Sequence, residues 1–128
     1  MKILYVEDND DLVYFVKRRF ARVGFTVLVA TDGEQGVAMA AADRPDLILM
    51  DLGLPRLDGW EATRRIKSQP ETRHIPVIVM ASDLDPAADW SLANPAGVLI
   101  KPFPLTAMLN EIRRVLRASA QTTGGASA

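Results

Sequence analysis

Three short apolar runs in this chain of 128 residues end in charged side chains. Apolar runs of this length, bounded by polar residues, are typical of buried parallel strands. The charges would then lie at the carboxyl ends of the strands, where open α/β sheets bind their ligands. These residues are Glu7 and Asp8 after the first run, Asp51 after the second and Lys101 after the third.

Strand and helix patterns alternate five times along the chain. We predict strands at residues 2–6, 27–29, 47–50, 77–80 and 97–100, and helices at about 9–23, 33–44, 59–67, 85–94 and 105–117. This order predicts right-handed crossovers and an α/β domain with a parallel sheet covered by helices on both faces. The domain is expected to span residues 1–118. Residues 119–128 are rich in Ser, Thr, Gly and Ala and are predicted to be a disordered tail.

Composition excludes several classes of protein. With 15 basic and 16 acidic residues, the net charge of −1 gives no electrostatic signature for nucleic acid or an anionic membrane. No cysteine is present, so disulfides and thiolate metal sites are excluded. No apolar stretch reaches the roughly 20 residues of a membrane span, and no signal peptide is visible, so a cytoplasmic protein is expected. Dinucleotide-binding and phosphate-binding glycine loops are also absent from the sequence.

The clustered charges favour metal-assisted phosphoryl chemistry. Three neighbouring carboxylates repel one another, and Mg²⁺, which prefers hard oxygen ligands, would relieve that repulsion. The predicted ligands are Glu7, Asp8, Asp51 and the backbone carbonyl of Gly53. The Asp51 carboxylate is a candidate nucleophile that would form an aspartyl-phosphate. Lys101 is predicted to hold the phosphoryl oxygens as a point charge.

The chain resembles the bacterial response-regulator receiver domain of the stand-alone, single-domain type. The segments that match are 4–9, 46–52, 54–55, 58–59, 75–77 and 101–103, in the order and spacing of that family. The resemblance implies a flavodoxin-like, doubly wound sheet of order 2-1-3-4-5. It also implies Mg²⁺-dependent phosphotransfer to Asp51 from a sensor histidine kinase or a histidine-phosphotransfer protein, and signalling by docking to a downstream protein. Only self-phosphorylation and self-dephosphorylation are expected, with no separate substrate turnover.

Two positions depart from the family pattern. The family places a Ser or Thr hydroxyl near the end of the fourth strand, and Ala81 stands at that position. Ser82 follows one residue later and is a candidate phosphoryl contact, although a slip of one residue turns a strand side chain to the other face. The family also favours an aromatic residue three positions before the lysine, where this chain has Val98. We therefore expect an atypical switch, with a muted or rerouted conformational response.

Val13 and Tyr14 are candidates for partner docking. Leu12 and Val16 are predicted to define the core face of the first helix, so Val13 and Tyr14 would point away from it, beside Asp51.

Two rival functions remain open. One is a pseudo-receiver that binds partners without phosphorylation, which Ala81 and Val98 favour and the acidic cluster opposes. The other is a metal-dependent phosphohydrolase acting on small molecules. Against it, Gly53 occupies the position where one common class of such enzymes has a second Asp.

Overall fold

Five strands form one parallel sheet of order β2-β1-β3-β4-β5. The computed structural model describes residues 1–54, 56–82 and 93–127, with side chains up to residue 119. Its elements are β1 Lys2–Val6, α1 Asp10–Arg22, β2 Thr26–Ala30, α2 Gly33–Asp43, β3 Leu47–Asp51, α3 Gly59–Ser68, β4 Val77–Ala81, β5 Gly97–Ile100 and α4 Leu105–Ser127. The predicted strand order is confirmed.

Side chains that alternate along each strand supply the cores on the two faces of the sheet. In β1, Ile3 and Tyr5 point to one face, where α1 and α4 pack against the sheet. Leu4 and Val6 point to the other face, which α2 and α3 cover. All five residues of β3 are buried because helices cover both of its sides. The predicted doubly wound architecture is confirmed.

A capping side chain begins each of the first three helices just beyond the carboxyl end of a strand. Asn9 caps α1 by accepting a hydrogen bond from the Leu12 amide at 3.1 Å. Asp32 caps α2 and Asp58 caps α3 in the same way, each with a hydrogen bond of 2.8 Å. These side chains satisfy amide groups that the first turn of a helix leaves unpaired. They fix where the chain turns at the edge of the sheet that carries the charged residues.

The start of α3 lies directly behind Asp51. A Cβ atom at Gly59 would lie 2.0 Å from the Asp51 carbonyl oxygen, so only glycine fits at this position without a backbone shift. The Gly59 amide also donates a 3.3 Å hydrogen bond to the Leu52 carbonyl oxygen. The chain after Asp51 therefore folds back tightly onto the end of β3.

Three helix predictions need comment. The last helix was expected to end near Arg117, whereas α4 continues to Ser127. The disordered tail at 119–128 stays a prediction. The helix predicted over 85–94 lies mostly in residues 83–92, outside the described part of the chain.

The expected core face of α1 was wrong by part of a turn. Val16 and Phe20 are buried as predicted, but Leu12 is 42% exposed. Val13, which was expected to point away from the core, packs against it. The core face is centred between Val13, Val16 and Phe20 because this spacing presents one stripe to the sheet. No helix in the described part of the chain is long and apolar enough to cross a membrane.

Candidate functional site

Strand register brings the predicted charged residues to one place. Val6 pairs with Met50, so Glu7 and Asp51 follow on neighbouring strands and point to the same face. Asp8 comes next in the chain and is exposed, whereas Glu7 and Asp51 are only 3% and 5% exposed. One carboxylate oxygen from each of the three lies within 4.8 Å of the others. The sheet therefore concentrates three negative charges at the carboxyl end of its central strands.

Lys101 offsets part of the negative charge of the three carboxylates. Its Nζ atom lies 3.1 Å from Oδ1 of Asp51, to which it donates a hydrogen bond. The backbone amide of Gly53 donates a second hydrogen bond to the same oxygen at 3.0 Å. β5 pairs Ile100 with Ala81 of β4, which sets Lys101 at the sheet edge within reach of Asp51. Two donors therefore hold the Asp51 carboxylate in one orientation.

The surroundings of Glu7 change the pKa of its carboxyl group. Burial raises the pKa of the Glu7 carboxyl from 4.5 to about 7, and the charge of Asp51 and a hydrogen bond to it act in the same direction. Lys101 and the Asn9 amide lower that pKa but do not offset the other effects. The surroundings of Glu7 therefore disfavour its charged form compared with a carboxyl group in water.

A cleft of about 430 Å³ opens beside Asp51. Ala81 and Ser82 both line it, together with Lys101 and the Gly53 loop. Ala81 is 6% exposed and offers only a methyl group, whereas Ser82 is exposed. The cleft is large enough for a phosphoryl group to approach Asp51, and the contact proposed for Ser82 stays a prediction.

Tyr5 is part of the site that the sequence analysis missed. It is 2% exposed and lies two residues before Glu7, so both side chains point to the same face of β1. Burial, followed by the charges of Glu7 and Asp51, raises the pKa of the Tyr5 hydroxyl. The sequence contained the information needed to find it. Side chains two residues apart in a strand point to the same face, so Tyr5 lies beside the predicted ligand Glu7.

An apolar groove of about 320 Å³ adjoins the site between α1 and α4. Its lining includes Leu12 and Phe15 of α1, Phe103, and the site residues Glu7 and Lys101. Of the two predicted docking residues, Tyr14 is 64% exposed and Val13 is partly buried. Neither residue lines this groove, so the docking role of both stays a prediction.

Residues 3–113 match the family model described as the response regulator receiver domain. The chain belongs to the response regulator receiver domain family. It is 35% identical to the protein PilH of Pseudomonas aeruginosa, over 90% of this chain and 97% of PilH. It is 34% identical to the response regulator PleD of Caulobacter vibrioides, of which it covers 26%. The chain therefore spans nearly all of one relative and about a quarter of another.

Solved receiver structures share the fold. The receiver domain of the sensor histidine kinase PA1611 from Pseudomonas aeruginosa, with a magnesium ion coordinated in its active site cleft, is 32% identical with a TM-score of 0.80. That likeness covers 90% of this chain and 96% of the solved one. The chemotaxis protein CheY4 of Vibrio cholerae is 26% identical with a TM-score of 0.81, covering 89% and 97%. The flavodoxin-like receiver fold and a place in two-component signalling are thereby confirmed.

Proposed function

We propose that this receiver domain accepts a phosphoryl group on Asp51 from a phosphohistidine donor and signals by docking to a partner protein. The observation on which the proposal rests is the contact between Lys101 and the buried Asp51, at 3.1 Å, within the cluster of three carboxylates. A carboxylate held by fixed donors beside an open cleft has the orientation that a nucleophile needs.

The acidic cluster fits Mg²⁺. Its donors are carboxylate oxygens, the class that Mg²⁺ prefers. Burial and the neighbouring charge of Asp51 raise the pKa of Glu7, and a bound cation would act against both effects. Glu7, Asp8, Asp51 and the carbonyl of Gly53 would hold the ion. When bound, it would offset the negative charge of the incoming phosphoryl group.

Each residue of the site has a separate role in the proposed phosphotransfer. An oxygen of Asp51 attacks phosphorus, the new O–P bond forms and the P–N bond to the donor histidine breaks. The imidazole nitrogen leaves with the electron pair of that bond and takes a proton from solvent. Lys101 holds an oxygen of the transferred group, and the Gly53 amide keeps Asp51 oriented.

A sensor histidine kinase or a histidine-phosphotransfer protein is the proposed donor. The surface of this chain that binds the donor would include the exposed Tyr14 on α1, close to the groove that Glu7 and Lys101 help to line. Val13, which packs inward, would support that surface from beneath rather than contact the donor. The downstream target would be a further protein.

Mapping the modified residue tests the proposal directly. After incubation with acetyl phosphate and Mg²⁺, borohydride reduction of an acyl phosphate at Asp51 is expected to convert that residue to homoserine. Peptide mass mapping would then find the change at Asp51 and leave Glu7 and Asp8 unmodified. Modification of Glu7 or Asp8, or of none of the three, would contradict the proposed acceptor.

The switch that follows phosphorylation is proposed to be atypical. Ala81 presents a methyl group to the cleft where a hydroxyl would contact the phosphoryl group, and Val98 is only partly buried on the neighbouring strand. We expect amide chemical shifts to change mainly within the site when a phosphoryl mimic is added with Mg²⁺. Large shifts throughout β4, β5 and α4 would contradict this expectation, and Ala81→Thr with Val98→Tyr is expected to enlarge the response.

A pseudo-receiver is the second candidate, and the absence of a hydroxyl at Ala81 is the observation that favours it. In that case a partner would bind equally well to the wild-type protein and to Asp51→Asn, with or without a phosphoryl donor. In the favoured case the donor would change partner affinity in the wild type alone.

A further inference from the structure

One row of side chains on α1 points away from the core and carries opposite charges at its two ends. It consists of Asp11, Phe15, Arg18 and Arg22, all of which are exposed. Their spacing of four, three and four residues aligns them along one side of the helix. We call this row the outer stripe. It is acidic near the start of α1, aromatic next and basic toward the end, over about 17 Å at 1.5 Å per residue.

The charged groups of the outer stripe form no ion pairs within the described part of the chain. None of Asp11, Arg18 and Arg22 takes part in a salt bridge there, whereas Glu61 of α3 pairs with Arg64. Asp11 and Arg18 are seven residues apart, about 10 Å along the helix axis, which is too far for a direct pair on one helix. The acidic and basic groups therefore stay available to a second molecule.

A shallow cavity of about 270 Å³ lies along the outer stripe. Phe15, which is 52% exposed, lines it together with Tyr14, Arg18, Arg19 and Arg22. Arg18 lies 5.6 Å from the centre of the Tyr14 ring and donates a 3.1 Å hydrogen bond to its hydroxyl oxygen. Tyr14 therefore holds the Arg18 guanidinium group in place, where a further aromatic ring can stack on it.

We propose that the outer stripe is the interface of a homodimer in which the α1 helices of two copies of this chain pack antiparallel. A two-fold axis between residues 16 and 17 puts Asp11 of each copy opposite Arg22 of its partner. The same axis puts Phe15 opposite Arg18, because both pairs of positions are centred on that point of the helix. Each level of the interface then joins groups that attract each other, with an ion pair at each end and two cation–π contacts between them.

Charge complementarity selects a second copy of this chain as the partner. Asp11 would repel nucleic acid or a uniformly acidic protein, and the two arginines would repel a basic one. Parallel packing of two copies would set like charges opposite each other. One helix from each chain gives a small interface of the transient class, so the dimer is expected at high protein concentration and is expected to weaken with added salt. The proposal does not depend on phosphorylation.

Charge reversal in two separate variants, followed by mixing, tests the homodimer. Sedimentation equilibrium of the wild type over a series of concentrations is expected to show monomers in exchange with dimers. Asp11→Arg and Arg22→Glu are each expected to weaken self-association by about tenfold or more, because like charges then face each other at both ends of the interface. An equimolar mixture of the two variants is expected to recover the dimer, because two positive charges of one chain then face two negative charges of the other.

The matched controls reverse charges on α1 outside the outer stripe. Asp10→Arg and Lys17→Glu alter exposed side chains of the same helix and are expected to keep the self-association of the wild type. All variants are compared at the helix content of the wild type, measured by circular dichroism. A wild type that stays monomeric at every concentration would overturn the proposal. So would a mixture of folded variants that stays monomeric, or controls that weaken self-association as much as the changes within the outer stripe.

Discussion

Glu7→Gln is expected to stabilise the metal-free domain at pH 8 and to abolish most of its pH dependence. The wild type should lose up to about 3 kcal/mol of unfolding free energy between pH 4.5 and pH 8 without Mg²⁺, from the shift of the Glu7 pKa from 4.5 to about 7. Glutamine carries no charge, so the variant should not show this loss.

The sign follows from proton binding. Because the pKa of Glu7 is raised in the folded state, the folded protein binds more protons than the unfolded chain between about pH 4.5 and pH 7. The associated stability is fully present below pH 4.5 and is lost as the pH rises through about 7. Mg²⁺ should restore it at pH 8, because the cation binds the folded state alone.

Urea unfolding at several pH values, with EDTA or with Mg²⁺, measures this effect. The matched control is Glu34→Gln at the start of α2, which removes a carboxylate outside the acidic cluster. The expectation would be contradicted if the unfolding free energy of the wild type rose between pH 5 and pH 8 in EDTA. It would also be contradicted if the unfolding free energy of Glu7→Gln changed with pH as steeply as that of the wild type, because Glu7 would then not be the group responsible.

Lys101→Met is expected to slow phosphorylation of Asp51 by roughly a hundredfold while leaving the protein folded. Methionine keeps an unbranched apolar stem but removes the ammonium group that lies 3.1 Å from Asp51. Removing one donor that stabilises developing negative charge costs about 10²- to 10³-fold in other enzymes. The loss should appear with acetyl phosphate, because it arises at the site and not at a docking surface.

The rate of mass gain in acetyl phosphate and Mg²⁺ is the measurement for Lys101. Lys17→Met, which removes an exposed lysine from α1, is the control and should phosphorylate at the rate of the wild type. Because Lys101 lowers the pKa of Glu7, the Lys101→Met variant should also bind Mg²⁺ with a stronger dependence on pH. A rate within threefold of the wild type would remove Lys101 from the phosphoryl contact.

The fold was largely predictable because its signals are local. Apolar runs marked the strands, and the helices predicted at about 9–23, 33–44 and 59–67 agree with α1, α2 and α3 to within one residue at each end. The core face of α1 was harder to predict. Leu12 and Val13 are both apolar, and neighbouring residues of a helix point about 100° apart, so only one of the two can face the core. The end of α4 was not predictable, because a tail of small residues carries no pattern that separates helix from coil.

The clustering of the charged side chains was predictable, because it follows from their positions at the ends of strands. Glu7, Asp51 and Lys101 each follow an apolar run, and parallel register brings such strand ends together. The raised pKa of Glu7 was not predictable, because it depends on burial and on the distance to Asp51 in three dimensions. The groove between α1 and α4 was missed for the same reason, since it depends on which helices become neighbours.

Intact mass after incubation with acetyl phosphate is the most direct test of the central claim that Asp51 accepts a phosphoryl group with the help of Mg²⁺. The wild type is expected to gain one phosphoryl group with Mg²⁺ and none with EDTA, and Asp51→Asn is expected to gain none under either condition. A folded wild-type protein that gains no mass, or an Asp51→Asn variant that gains as much as the wild type, would contradict the claim.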